Sequence, residues 1–391
     1  MSKNNIKSLR SGIMSKTIIR ELVTGYVENL KERISSIVKE LYKSNDSSNS
    51  ENIASNELIK LLKDEGFNVT EIPDIKNAFI AKYGNSAPNI AYICEYDAVD
   101  GQGYINGHNI QCSMNVLGAI GLKRAISEIG GSCTVFGCPS EEKEPTKIKM
   151  LQNNLFSDVD VALCAHPYTK TLESGSSLSM LISSLQFKGY GCSTLVNFDK
   201  GINPITPAAI TISSIETIKS KYKEHIYINY TLTDCLDDIC SIAEKSCVKV
   251  LIKSDQDRLI DFIQDDILDI ARLYSKIYKC DFENNTIVRY VPFKTHQELS
   301  KVFCHNLKEK GIVDIHGPMI MSQSLDMANI SYKIPCIHPY IGITENNVEY
   351  YTKEFADATI KDFALEQTIK AASALALTGI DIIENTKIIS H

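Results

Sequence analysis

The chain has no excess of positive charge: 41 Lys and Arg stand against 48 Asp and Glu, for a formal net charge of −7. Phosphate backbones are held by basic faces, so nucleic acid is not an expected partner. Nor does any apolar run approach the roughly 18 residues of a membrane span. The polar, basic start from Met1 to Lys16 lacks the apolar core of a secretion signal. These absences lead to the expectation of a cytoplasmic protein with no membrane partner. Cysteine is plentiful at 12 residues, yet no two form a C-x-x-C pair and many lie in apolar, strand-like runs. That scatter argues for buried free thiols over a disulfide framework. No internal repeat or long low-complexity segment breaks the 391 residues, which are enough to bury one large core and a smaller one.

What the sequence does have is concentrated between Ile90 and Leu122, with an outpost at Cys138 to Glu142. An apolar strand, Ile90 to Cys94, runs into Glu95-Tyr96-Asp97. Then come Gly101, Gly103 and Gly107, and an amphipathic helix that opens near His108. A second strand, Cys133 to Gly137, ends in Pro139-Ser140-Glu141-Glu142. Metal-capable side chains thus follow buried strands, and ligands in open α/β sheets collect at such strand ends.

Around that stretch the pattern alternates. Ile18 to Tyr42 has helical spacing and reads as one long amphipathic helix. The Ser/Asn-rich run 44–50 reads as a surface loop, and Ile53 to Glu65 as a second helix closed by Gly66. Val159 to Cys164 reads as a strand delivering Ala165-His166-Pro167. From Ser179 the order becomes strand, helix, strand, strand, helix, strand until about Phe293, after which helix and strand alternate again to a terminal helix, Thr359 to Gly379. The expected fold class is α/β: a mixed sheet with flanking helices built from 1–178 and 294–391, carrying an inserted α+β lid over 179–293.

Eight motifs in fixed order bear a resemblance. They are Glu95-Tyr96-Asp97-Ala98, Gly107-His108-Asn109, Pro139-Ser140-Glu141-Glu142 with Lys147-Ile148-Lys149-Met150, Ala165-His166-Pro167, Phe187-Lys188-Gly189, Gly201-Ile202-Asn203, Ser324 to Ser331, and Ile337-His338-Pro339. With them the chain resembles the metallo-amidohydrolases and metallopeptidases that include aminoacylases, hippurate hydrolases and aminobenzoyl-glutamate hydrolases. The likeness is nearest to the aminobenzoyl-glutamate and dipeptide branch. It implies a zinc-peptidase-like fold, a lid that pairs into a homodimer, and hydrolysis of a small-molecule amide such as an N-acyl amino acid or dipeptide-like conjugate. Carried over by position, it implies Glu141 as general base, Asp97 as a polar group beside the metal, and His108, Glu142 and His166 as metal ligands.

The departures from that family pattern are specific. Asn106 stands where the amidohydrolase branch has a bridging Cys, Tyr351 where it has a late ligand His, and Ser193 where a lid His stabilises the oxyanion. An amide is a poor zinc ligand beside a thiolate, and a phenol a poor one beside an imidazole. The family positions therefore imply Asn106 as a weakened metal position and Ser193, Asn203 and Tyr351 as substrate contacts. They imply at most one divalent ion (zinc, manganese, nickel or cobalt), or none. Three readings stay open: a hydrolase with an altered centre, an inactive binding protein using the old cleft, and acyl transfer or amide formation on the same scaffold.

Overall fold

The computed structural model describes residues 3–44, 50–140, 145–196, 199–222, 225–236 and 238–390, with side chains from 16 onward. The chain divides into two compact units, one made of 1–175, 294–319 and 330–391, the other of 176–293 and 320–329.

The first unit opens with helices α1 (Lys3–Asn29) and α2 (Lys31–Lys43). A single helix was expected over most of this range. The chain instead turns at Leu30, and Leu22, one of the apolar residues of that span, is 65% exposed. Helix α3 (Ser50–Asp64) follows, closed by Gly66 at φ +81°, a left-handed backbone that glycine adopts without a Cβ penalty. Strands β1 (Asn68–Glu71), β2 (Phe79–Gly84), β3 (Asn89–Glu95), β4 (Ser132–Cys138), β5 (Val161–Leu163) and the late strand Cys336–Ile337 form one sheet in the order β1-β2-β4-β3-β5-Cys336–Ile337. The first two pairings are antiparallel, and β4, β3, β5 and Cys336–Ile337 run parallel. Every residue of β3 and β4 is buried, as expected for strands covered on both faces.

Parallel strands bring their carboxyl ends to one edge. Glu95, Cys138, Leu163 and Ile337 therefore terminate together, and the residues just beyond them, Asp97, His166 and His338, follow from that edge.

Helix α4 (His108–Ile129), which connects β3 to β4, is buried along nearly its whole length. It packs against the terminal helix Asp362–Glu384 through glycines on both sides. A Cβ on Gly118 would lie 2.8 Å from Leu375 Cβ, one on Gly121 2.8 Å from Ala376 Cβ, and one on Gly379 2.6 Å from Leu122 Cδ2. Small residues thus set the close approach of the two helices.

The second unit is α+β. A four-stranded antiparallel sheet has the order Ile226–Thr233, Lys245–Ser254, Ser179–Lys188, Asp281–Tyr290. Helices Ile205–Lys221 and Asp257–Ile277 pack on it through Ile215, Ile260, Ile263 and Ile267. All twelve cysteines are free. No helix among the described residues is long and apolar enough to cross a membrane.

Candidate active site

The site begins at the last residue of β3. Glu95 is 2% exposed, and its backbone N–H donates to Gln111 Oε1 at 2.8 Å. Gln111, one turn into α4, donates from Nε2 to Glu95 Oε2 (3.2 Å), Ile93 O (3.3 Å) and Cys164 Sγ (3.1 Å). The glutamine therefore ties the carboxylate to the helix and to the end of β5. Glu95 Oε1 meets Lys147 Nζ at 2.9 Å, and that lysine is fully buried, carried in by helix Thr146–Gln152. Burying either charge alone would be costly; as a hydrogen-bonded pair they neutralise one another.

The loop from Asp97 to Gly107 then returns to the sheet edge. Gly107 has φ +80°, and a Cβ there would fall 2.7 Å from Pro167 Cγ, so only glycine allows α4 to start this close to the His166 segment. His108, the first residue of α4, places Nδ1 2.9 Å from Asp97 Oδ1. A carboxylate can only accept, so the proton sits on Nδ1 and Nε2 keeps its lone pair. Nε2 stands 3.8 Å from Glu95 Oε2. Asn106 clamps this loop: its Nδ2 donates to Asp97 O (3.1 Å) and lies 3.0 Å from His108 Nδ1, and its Oδ1 accepts from His108 N (3.2 Å). His166 has the same kind of arrangement, its Nδ1 2.8 Å from Pro167 O, which likewise directs the tautomer toward a free Nε2.

Three imidazoles line up here. The rings of His108 and His166 are 5.3 Å apart at 76°, and those of His166 and His338 5.5 Å apart at 28°. Glu95, His108 and His166 each offer a ligand atom within 4.8 Å of the others. A second set with the same spread is Glu95, Cys164 and His338. The first set fits a divalent metal on its own chemistry: one carboxylate and two imidazoles make a zinc donor set, and each imidazole gives its other ring nitrogen to an oxygen acceptor, as ligating histidines do.

The electrostatics follow from burial. Burial by itself would raise the Glu95 pKa, but the Lys147 ammonium and then the histidines bring it down to about 2. His166 is lowered to about 3, by burial first and then by His108 and His338. His338 is lowered to about 4, burial again the main cause. Neutral imidazoles beside an ionised carboxylate are the forms a metal requires. Cys94 and Cys164 are pushed well above the ordinary thiol range by burial, which keeps both protonated at neutral pH when no metal is bound.

Of the residues singled out in the sequence, Asp97, Asn106, His108 and His166 come together at this edge. Tyr351 follows Tyr350, whose ring is 6.3 Å from His166 and whose hydroxyl donates to Asn106 O at 3.3 Å. Tyr351 takes a left-handed backbone at φ +68° and is 39% exposed. Ser193 and Asn203 belong to the second unit. Ser193 lies in a two-residue pairing with Ser241, and Asn203 Oδ1 accepts from Ile205 N (3.0 Å) at the start of helix Ile205–Lys221. Glu141 and Glu142 lie outside the described residues. Glu95, Gln111, Lys147, Cys164 and His338 had not been assigned a site role from sequence, although Glu95, Lys147 and His338 fall within the motifs that carry the resemblance. Glu95 closes a strand, a visible signal; Lys147 lies in a short helical stretch that gives no sign of being buried.

No family model matches the chain. Among curated proteins, Xaa-Arg dipeptidase of Mus musculus is 24% identical over 311 residues, covering 77% of this chain and 71% of that protein. One of the polypeptides of the p-aminobenzoyl-glutamate hydrolase of Escherichia coli is 25% identical over 237 residues, 55% and 49% of the two chains. Among solved structures, the aminobenzoyl-glutamate utilization protein of Klebsiella pneumoniae superposes with a TM-score of 0.71 at 11% identity, covering 91% of this chain and 97% of that one. A dinuclear metal-binding peptidase of the M20 family from Bacillus subtilis gives 0.63 at 15% identity, over 90% and 99%. The fold is thus the zinc-peptidase-like α/β fold with an inserted α+β unit. The resemblance seen in the sequence is borne out by these relatives: the chain is similar in sequence to a dipeptidase and an aminobenzoyl-glutamate hydrolase, and its fold is that of M20-family aminohydrolases and peptidases.

Proposed function

We propose that the chain hydrolyses the amide of an N-acyl amino acid or dipeptide-like conjugate, using one divalent ion and Glu141 as general base. The observation that carries this is the convergence of Glu95, His108 and His166, with Asp97 and the Pro167 carbonyl fixing both imidazole tautomers. When bound there, a divalent ion polarises the scissile carbonyl and acidifies water. His108 and His166 hold the position, and Asp97 keeps His108 turned toward it. Glu142 adds a ligand from the strand end that also carries Glu141. Glu141 takes a proton from the attacking water and passes it to the leaving nitrogen as the C–N bond breaks and the C–O bond forms. A single ion is favoured because both ends of the Asn106 amide are engaged in holding the loop. Ser193, Asn203 and Tyr351 are proposed to contact substrate.

Protein purified without chelator is expected to contain about one equivalent of zinc, manganese, nickel or cobalt by elemental analysis, a count set by the three-donor site. It should also cleave members of a panel of dipeptides and aminobenzoyl-glutamate, and His166→Asn should lose the metal. Metal-free protein that binds no added ion and cleaves none of the panel would overturn the reading and leave the binding-protein or acyl-transfer alternative.

A homodimer through the second unit is part of the proposal. Its outer strand Ile226–Thr233 is paired on one side only among the described residues, and Tyr227 on it is 59% exposed. An open strand edge is a template for pairing with a second copy. Sedimentation at micromolar concentration should give twice the 43.5 kDa chain mass; a single monomeric species would overturn the dimer.

A further inference from the structure

Glu95 is the one residue common to the two donor sets, and its two oxygens face different partners. Oε2 lies toward His108 and the first set, whereas Oε1 is held by Lys147 Nζ at 2.9 Å. The second set is completed by Cys164 and His338, both fully buried or nearly so. Lys147 is one of the charged groups whose field acts on each of them. A lysine with no exposed surface, ion-paired to the carboxylate that both sets share, therefore keeps its positive charge beside the second set.

We propose that the Lys147 ammonium is a tethered cation at the Glu95–Cys164–His338 position, and that it limits this centre to a single metal ion. Two cations about 4 Å apart around one carboxylate are tolerated only when enough negative charge is supplied. With Asn106 and Tyr351 in place of charged or strong ligands, that charge is short, and a monovalent ammonium asks for less of it than a divalent metal. Oε1 being occupied, Glu95 is left to act through Oε2 alone. Lys147 is thus a residue that sets metal number; it rests on the hydrolase reading only for the first ion.

The test compares cadmium and cobalt binding by wild type and by Lys147→Met, read by elemental analysis after gel filtration and by the thiolate-to-metal charge-transfer band. Removing the ammonium opens the second set. Cys164 then releases its proton to solvent as its sulfur ligates, so the variant should bind one more equivalent than wild type and gain the band. Lys147→Met/Cys164→Ala should lose both gains, and Lys147→Arg, which keeps a cation there, should behave as wild type. Because the readout is a difference from wild type, it stands whether or not wild type holds an ion. Should wild type alone lack metal, the hydrolase reading fails and the lysine proposal survives. Lys147→Met leaves Glu95 unpaired and will be less stable, so its refolding yield is to be measured with and without cadmium; metal-dependent recovery supports the proposal. No added equivalent and no band, or a variant that stays unfolded in both conditions, would overturn it.

Discussion

Glu141→Gln is expected to lower amide hydrolysis by about 10²- to 10⁴-fold, the usual worth of a general base. Gln matches the shape of Glu and hydrogen-bonds similarly, but its amide cannot take the proton from water. The loss should fall on kcat with little change in KM, since substrate is bound by other groups. The metal count should stay that of wild type, because Glu141 is assigned to the proton and Glu142 to the ion. That pairing of results separates the two neighbours: Glu142→Gln should weaken metal retention as well as rate. Ser140, the last described residue before Glu141, follows a buried strand, turns the chain with a left-handed φ of +57° and is held by Glu51 Oε1 through both its N–H (3.1 Å) and its hydroxyl (2.9 Å). Unaltered hydrolysis in Glu141→Gln would mean that the proton moves by another route and that the centre is not an amidohydrolase centre of this kind.

The parts of this molecule that could be read in the sequence are those with a short-range signature. Strand β3 is a plain apolar run ending in an acid, and the glycines before His108 announce a tight return to the sheet edge; both are where the pattern put them. The inserted unit is marked by its change of texture at Ser179, and its helix Asp257–Ile277 has strong amphipathic spacing. The break at Leu30 was not legible, because apolar spacing continues through it and no Pro or Gly marks the turn. The Glu95–Lys147 pair was hidden for a different reason. Its members are 52 positions apart in the numbering, and a lysine in a helical stretch is ordinarily a solvated one. Asn106 shows the opposite case: its departure from the family pattern was visible, but its part in clamping Asp97 and His108 depends on two hydrogen bonds that only the folded loop supplies.

The same buried histidines make metal-free protein labile to mild acid. His166 and His338 have folded pKa values lowered to about 3 and about 4 by burial, against about 6.5 in an unfolded chain. Between those limits the unfolded state binds protons that the folded state refuses. Stability is therefore complete above pH 6.5 and falls as pH drops toward the folded values. At pH 5 each histidine has removed about 2 kcal/mol, so on the order of 4 kcal/mol is lost together, a large share of the 5–15 kcal/mol typical of a whole domain. Glu95, lowered to about 2, acts in the same direction at still lower pH, below about 4.5. Urea midpoints measured at pH 7 and pH 5 on chelator-treated protein should differ accordingly. His338→Leu should halve the difference, since its neutral side chain takes no proton in either state while His166 continues to contribute. Bound metal should stabilise the protein further at pH 7 and lose its effect on acidification, because protons compete for His108 and His166 only once the pocket opens. An identical midpoint at pH 7 and pH 5 would show that these imidazoles are not held neutral in the folded protein, and the donor geometry drawn from their tautomers would have to be abandoned with it.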